Sequence, residues 1–248
     1  MKKHLALLPP LLCLLVTALP SLAAEKPGPP APPKAPAATP TPPKKGGLII
    51  YTPPKTPKGL RVDGDGGSRA GGVKLPSIYV LAPQHAGLTT QAQPALFWYQ
   101  TGAAVSEFEL TVTEPKKAQP LLSVRASSKL EEGIHSVSLA RQKITLDPGT
   151  SYQWSVALIA DAENRSKDVV ASGIIQRVEA PAALAAKIGK ASPAERAAIY
   201  AEGGFWYDAL QSISTAIGGE KDASRKADLT RARASLLEQA NLPAAVKR

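Results

Sequence analysis

The residues that could do chemistry in this chain are few and widely spaced. His85 and His135 have no carboxylate at the spacing of a metal site, and we interpret both as surface residues. Asp161, Asp168 and Asp208 are the candidates for a hydrolase site, because a carboxyl with a raised pKa in a cleft can act as a general acid. These residues form no recognisable catalytic, metal or cofactor-binding constellation. We therefore predict a non-enzymatic protein without a cofactor.

An aromatic run, Phe97-Trp98-Tyr99, is the other candidate site. Successive residues of a strand point to opposite faces of its sheet, so at least one of these rings is expected to be exposed. Trp98 and Tyr99 are therefore the candidate interaction surface, for instance for stacking on a sugar. Packing beneath the C-terminal helices is the favoured interpretation of the same rings.

A glycine-rich run at residues 63–72 only partly matches known binding loops. Asp63 and Asp65 occupy the first positions of a calcium loop, but Lys74 stands where the bidentate glutamate belongs. The run also lacks the Gly-Lys-Ser/Thr of a phosphate loop. It is predicted to be a flexible lead-in to the folded region.

The first 23 residues have the pattern of a cleavable signal peptide. Lys2 and Lys3 precede an apolar run at residues 5–19, and small residues allow cleavage near Ala23. The run is too short to span a bilayer, so we expect no transmembrane segment in the mature protein, which is periplasmic or secreted. The single cysteine, Cys13, lies in this leader, and the mature chain can have no disulfide.

Residues 24–72 are predicted to be a flexible, partly disordered segment rich in proline, lysine and glycine. Proline fixes φ and removes a hydrogen-bond donor, which opposes both helices and sheets. A short apolar patch, residues 48–51, is expected to form an edge strand or to pack on the domain. Residues 1–75 have a net charge of +8 and the remainder only +2, so we expect no nucleic-acid partner.

Residues 73–180 alternate between apolar and polar side chains, most clearly at 108–112 and 152–158. About seven strands in roughly a hundred residues are typical of an immunoglobulin- or fibronectin-like antiparallel β-sandwich. The approach to Tyr152 resembles a fibronectin tyrosine corner, in which the tyrosine hydroxyl bonds back to the preceding loop. The fold class is therefore predicted to be mostly β.

Residues 181–248 have helical periodicity and are predicted to pack on the sandwich as a helical hairpin. Ser192-Pro193 with Glu195 forms a capping box, which predicts a helix from 193 to the glycines at 203–204. A second helix carries Trp206, and a third ends near Asn241.

The order of these pieces resembles the bacterial domain of unknown function 928, over about residues 47–242. The resemblance rests on Leu48-Ile-Ile-Tyr-Thr-Pro-Pro54, Gly66-Gly-Ser-Arg-Ala-Gly71, Pro94-Ala-Leu-Phe-Trp-Tyr99, Asn164-Arg-Ser-Lys-Asp168, Gly173-Ile-Ile-Gln-Arg-Val178 and Trp206-Tyr-Asp-Ala-Leu210. It implies the architecture and export described above and adds no chemistry, because the family has no assigned activity.

Three functions remain open from the sequence. The first is an exported envelope module that binds another envelope protein or a surface polymer. The second is a structural accessory of a secretion or adhesion complex, and the third is a hydrolase with an unrecognised carboxylate site. Fold-level analogy favours the first.

Overall fold

The computed structural model describes residues 48–54, 75–240 and 242 of the 248-residue chain. Its strands are β1 (Ile78–Val80), β2 (Gly87–Thr89), β3 (Ala95–Gln100), β4 (Ala104–Thr113), β5 (Leu122–Leu130), β6 (Gly133–Ser138), β7 (Ser151–Ile159) and β8 (Val169–Arg177). Its helices are α1 (Ala182–Ile188), α2 (Pro193–Glu202), α3 (Trp206–Gly219) and α4 (Ala223–Glu238). The predicted signal peptide, the glycine-rich run at 63–72 and most of the 24–72 segment lie outside the described residues.

The strands form a three-stranded sheet and a five-stranded sheet. The smaller sheet has the order β1-β3-β6 and is antiparallel. The larger has the order β2-β8-β7-β4-β5 and is antiparallel except for β2, which runs parallel to β8. Helices occupy much of the chain from residue 182 to residue 238, so the class is mixed α and β rather than mostly β. The predicted mostly β class underestimated how many core residues the helices supply.

The two strongest alternating sequence patterns, at residues 108–112 and 152–158, form the neighbouring strands β4 and β7 of the larger sheet. Leu110 and Val112 on β4 lie opposite Val156 and Trp154 on β7, and all four are buried. Cross-strand pairs of this kind stabilise one face of a sheet. The Tyr152 hydroxyl accepts a hydrogen bond from the Asp147 backbone N–H at 3.1 Å, which confirms the contact predicted for the tyrosine corner.

Helix α3 is joined to the larger sheet through a buried polar bridge. The Trp154 indole N–H donates to the Tyr207 hydroxyl at 2.8 Å, and that hydroxyl donates to the Ile174 carbonyl at 3.0 Å. On the same helix, the Trp206 indole N–H donates to the Leu81 carbonyl at 2.8 Å. Residues from both sheets and from the helices share one buried cluster, because the apolar face of α3 packs on both.

The helical region contains four helices within the described residues, where the periodicity predicts three. Ser192 and Glu195 form the predicted capping box at the start of α2. Helix α3 contacts α2 and α4, and α1 is the helix that the sequence patterns did not indicate. In the part of the chain that the structure describes, no helix is long and apolar enough to cross a membrane.

Residues 48–54 pack on the domain and form no strand. Ile49 and Tyr51 are buried, and the Gln239 side chain bonds both the Ile49 carbonyl (2.6 Å) and the Tyr51 N–H (2.8 Å). The Thr52 N–H donates to the Ala201 carbonyl at 3.0 Å. Gly204 has φ +82°, and a Cβ there would lie 2.9 Å from the Thr52 carbonyl oxygen. We call residues 48–54 the strap.

Candidate ligand-binding groove

The candidate interaction surface at Trp98 and Tyr99 is buried. Trp98 is 3% exposed, Tyr99 is 8% exposed and Phe97 is 6% exposed, so no ring offers an open face. The expectation that one ring would be exposed is wrong because both faces of β3 are covered. The Trp98 ring packs against Phe108 of the larger sheet, at 6.2 Å between centroids, while α3 contacts β3.

The two histidines have different surroundings, and neither is a fully exposed surface residue. His85 Nε2 lies 2.9 Å from the Tyr51 hydroxyl, and the two rings stack at 6.0 Å. Burial lowers the pKa of His85 and raises the pKa of Tyr51. His135 bonds the Glu131 carbonyl at 2.8 Å and lies beside the Trp98 ring. Among the described residues, no three potential metal ligands come together.

Asp208 is a buried carboxylate that fastens the first turn of α3 to the end of β2. It accepts hydrogen bonds from the Thr89 hydroxyl (2.9 Å), the Thr90 N–H (2.6 Å) and the Gln91 amide (2.9 Å). Burial raises the pKa of Asp208, and these hydrogen bonds oppose the shift. The raised pKa is the signature expected of a hydrolase carboxyl, but the side chain is 0% exposed and no substrate can reach it.

The other two candidate carboxylates, Asp161 and Asp168, both form ion pairs with basic side chains of residues 165–167. The guanidinium of Arg165 pairs with Asp168 and with Glu109, the latter at 2.6 Å, and Lys167 pairs with Asp161 at 3.0 Å. The hydrogen bond from Arg165 lowers the pKa of Glu109, and that from Lys167 lowers the pKa of Asp161. The lowered pKa values keep Glu109 and Asp161 ionised, which suits ion pairing rather than general-acid work.

A polar groove of about 520 Å³ separates the edge of the smaller sheet from α3. Its floor is one face of that sheet, where Ala95 and Phe97 on β3 lie in register with Ser138 and Ser136 on β6. The ladder fixes this arrangement, because residues paired across two strands point to the same face. No motif in the sequence indicated this groove.

Helix α3 supplies the wall of the groove. Gln211 is held rigidly, since its Oε1 accepts the Ala95 N–H at 2.9 Å and its Nε2 donates to Gln91 at 3.2 Å. Ser214 lies one turn further along, and its Oγ is buried with no hydrogen-bond partner among the described residues. A buried hydroxyl without a partner is unusual in a folded protein.

Arg141 gives the groove its charge. The residue is exposed at the rim, and within the described residues its guanidinium has no ion pair. Among the described residues, the other polar groups that line the groove are hydroxyls and amides, with no carboxylate among them. The local charge is therefore positive, which favours a ligand with a carboxylate or phosphate group.

These observations define a mixed α and β domain with a polar groove, in which the three candidate carboxylates Asp161, Asp168 and Asp208 make structural contacts. The chain belongs to the family described as Domain of Unknown Function (DUF928), whose model matches residues 64–248. The resemblance predicted from the sequence is thereby confirmed, although the matched region begins after the strap. No curated protein matches the chain.

Two solved structures are similar to parts of this chain. One is an engineered protein, with 8% identity and a TM-score of 0.29 over 42% of this chain and 20% of that one. The other is astrotactin-2, described as a perforin-like membrane protein, with 14% identity and a TM-score of 0.28 over 67% of this chain and 31% of that one. This chain spans less than a third of either protein's length, and likeness at these scores carries no argument about function.

Proposed function

We propose that this chain is an exported binding module of the cell envelope, and that its groove between β6 and α3 holds a polar ligand. The ligand is a segment of another envelope protein or a surface polymer. The observation that carries the proposal is Arg141, which is exposed at the rim of the groove and has no ion pair within the described residues. Support for export comes from the leader pattern of the first 23 residues.

The chemistry of the groove supports a neutral or anionic ligand. Serine hydroxyls at 136, 138 and 214 can donate and accept, so they suit hydroxyl, amide and carbonyl groups. Arg141 can form paired hydrogen bonds with a carboxylate or a phosphate. A cationic ligand is disfavoured, because the described residues that line the groove include no carboxylate to receive it.

We also infer that the two sheets form an immunoglobulin- or fibronectin-like sandwich that carries a helical hairpin. The bond between Asp147 and Tyr152 at the tyrosine corner supports this, as does the single buried cluster to which both sheets contribute. The contact between α2 and α3 supports the hairpin. The parallel pairing of β2 with β8 is a departure from a purely antiparallel sandwich.

The proposal can be tested by site-specific photo-crosslinking in the native host. A benzoylphenylalanine is placed at Thr215, on the wall of the groove, or at Thr230 on α4. The two positions are matched, since each threonine hydroxyl donates to the backbone carbonyl one turn earlier at 2.8 Å.

We expect an adduct at position 215 that is absent at position 230 and that Arg141→Gln weakens. A discrete band would indicate a protein ligand and a broad smear a polymer, while an adduct of twice the chain mass would indicate self-association instead. A fixed ratio of partner to chain would favour the structural-accessory function. Equal labelling at both positions, or none at 215, would contradict a ligand in the groove.

A further inference from the structure

Strand β6 is an open edge of the smaller sheet. Its only ladder partner among the described residues is β3, and Ser136 at its centre is exposed. The Leu139 N–H donates to the Pro94 carbonyl at 3.0 Å, so the backbone groups of Leu139 point toward β3. Since backbone groups alternate in direction along such a strand, those of Ile134, Ser136 and Ser138 point away from β3, where the Ser138 carbonyl accepts the Gln142 N–H at 3.3 Å.

The charges at the two ends of β6 have opposite signs. Glu131 and Glu132 immediately precede the strand, whereas Arg141 and Lys143 follow it, and all four are exposed. Glu131 pairs with Lys129 at 2.9 Å, yet its side chain keeps 65% exposure. An acidic end and a basic end make the edge complementary to itself when two copies run antiparallel.

We propose that two copies of this chain associate through β6, paired antiparallel across a two-fold axis at Ser136. The axis sets Ser136 opposite its own counterpart and Ile134 opposite Ser138 of the second copy. It also brings the acidic end of each strand beside the basic end of the other. This is an isologous interface, in which one patch meets the same patch and the assembly closes as a dimer.

The other long edge of the molecule does not suit self-pairing. Strand β5 carries Arg125 and Lys129 and no acidic residue, and charged side chains of one sign protect an edge from pairing with its copy. The proline-rich stretch before the strap is also a poor occupant of the β6 edge. Proline lacks the N–H that a ladder requires, and the lysines of this stretch would face Arg141.

A disulfide tests the geometry directly. Directly opposite residues in a hydrogen-bonded antiparallel pair have Cα atoms about 5.5 Å apart, within the range that a disulfide spans. We would express the full chain with its own leader and with Cys13→Ser, and add either Ser136→Cys or, as a control on the β5 edge, Ser127→Cys. Both serines are exposed and lie on edge strands.

We expect the Ser136→Cys chain to form a covalent dimer under mild oxidation much faster than the Ser127→Cys chain. Sedimentation equilibrium of the unmodified chain should show a monomer–dimer equilibrium. Arg141→Glu should weaken the dimer by roughly two- to thirtyfold, because two symmetry-related ion pairs are lost, and adding Glu131→Arg should restore it.

Two outcomes would overturn the proposal. One is a chain that stays monomeric at its highest soluble concentration. The other is a dimer in which cysteines at 136 and 127 crosslink equally, since that would place the interface elsewhere. Neither measurement needs a ligand, so each outcome can be read separately from the proposed binding function, although Arg141 and the groove floor are common to both proposals. The dimer would place the two grooves side by side, because Ser136 and Ser138 belong to both the edge and the groove floor.

Discussion

Tyr207 offers the sharpest test of how the helices are fixed to the sheets. Its hydroxyl accepts from Trp154 at 2.8 Å and donates to the Ile174 carbonyl at 3.0 Å, and both aromatic rings are 0% exposed. Tyr207→Phe removes one oxygen atom and leaves the packing of the ring unchanged. The substitution therefore isolates the polar bridge from the apolar contacts around it.

The expected loss of stability follows from the surroundings of the Trp154 indole N–H. A Cβ built on Gly173 would lie 3.0 Å from Trp154 Nε1 and 2.9 Å from Ala82 Cβ, so the indole is closely packed on that side. A buried donor left without a partner costs about 1–3 kcal/mol. With the second hydrogen bond also lost, we expect Tyr207→Phe to lower the free energy of unfolding by about 2–4 kcal/mol.

Urea titration followed by circular dichroism measures this change as a shift of the midpoint at constant slope. Tyr152→Phe is the matched control, because its hydroxyl bonds the exposed residue Asp147, where water can substitute. We expect the control to lose about 1 kcal/mol or less. If Tyr207→Phe is no more destabilising than Tyr152→Phe, the buried bridge does not hold α3 on the sheet.

Two further predictions concern the strap. Gln239→Ala removes the two hydrogen bonds that hold the strap backbone and should release the strap. We expect faster proteolysis near residue 50 and a decrease of about 1–3 kcal/mol in the free energy of unfolding. The control is Gln93→Ala, whose hydrogen bond to Thr145 is exposed and which should change the free energy of unfolding by less than about 0.5 kcal/mol. Burial lowers the pKa of His85, so the folded state prefers the neutral imidazole. The contribution of His85 to the free energy of unfolding should therefore be complete at pH values above its ordinary pKa of 6.5 and should decline as the pH falls below that pKa. Unfolding midpoints at neutral and mildly acidic pH should therefore differ more in the parent chain than in His85→Gln, and equal differences would contradict the role of His85.

Local patterns in the sequence predicted the elements that depend on neighbours in the chain. Alternation indicated β4 and β7, because each buries one face. The capping box at Ser192 gave the start of α2, since its hydrogen bonds join residues only three positions apart. The bond between Asp147 and Tyr152 was predictable for the same reason.

Burial that depends on distant parts of the chain was not predictable in the same way. The aromatic run on β3 was expected to leave one ring exposed, because the sequence does not show that α3 returns to cover that face more than a hundred residues later. The strap had two readings, edge strand or packed segment. Its hydrogen bonds with Ala201 and Gln239 show that it is a packed segment. No periodicity in the sequence connects residues 48–54 with these distant partners.

The groove escaped the sequence analysis for a chemical reason. Ser136, Ser138 and Ser214 are common surface residues, and serine carries no motif unless a base or an oxyanion donor accompanies it. What distinguishes Ser214 is the absence of a bonding partner among the described residues, which only the packing of α3 on the sheet reveals. The proposed binding site, built from hydroxyls, backbone and one arginine, is therefore defined by topology rather than by a motif. The three carboxylates that the sequence singled out instead make structural contacts.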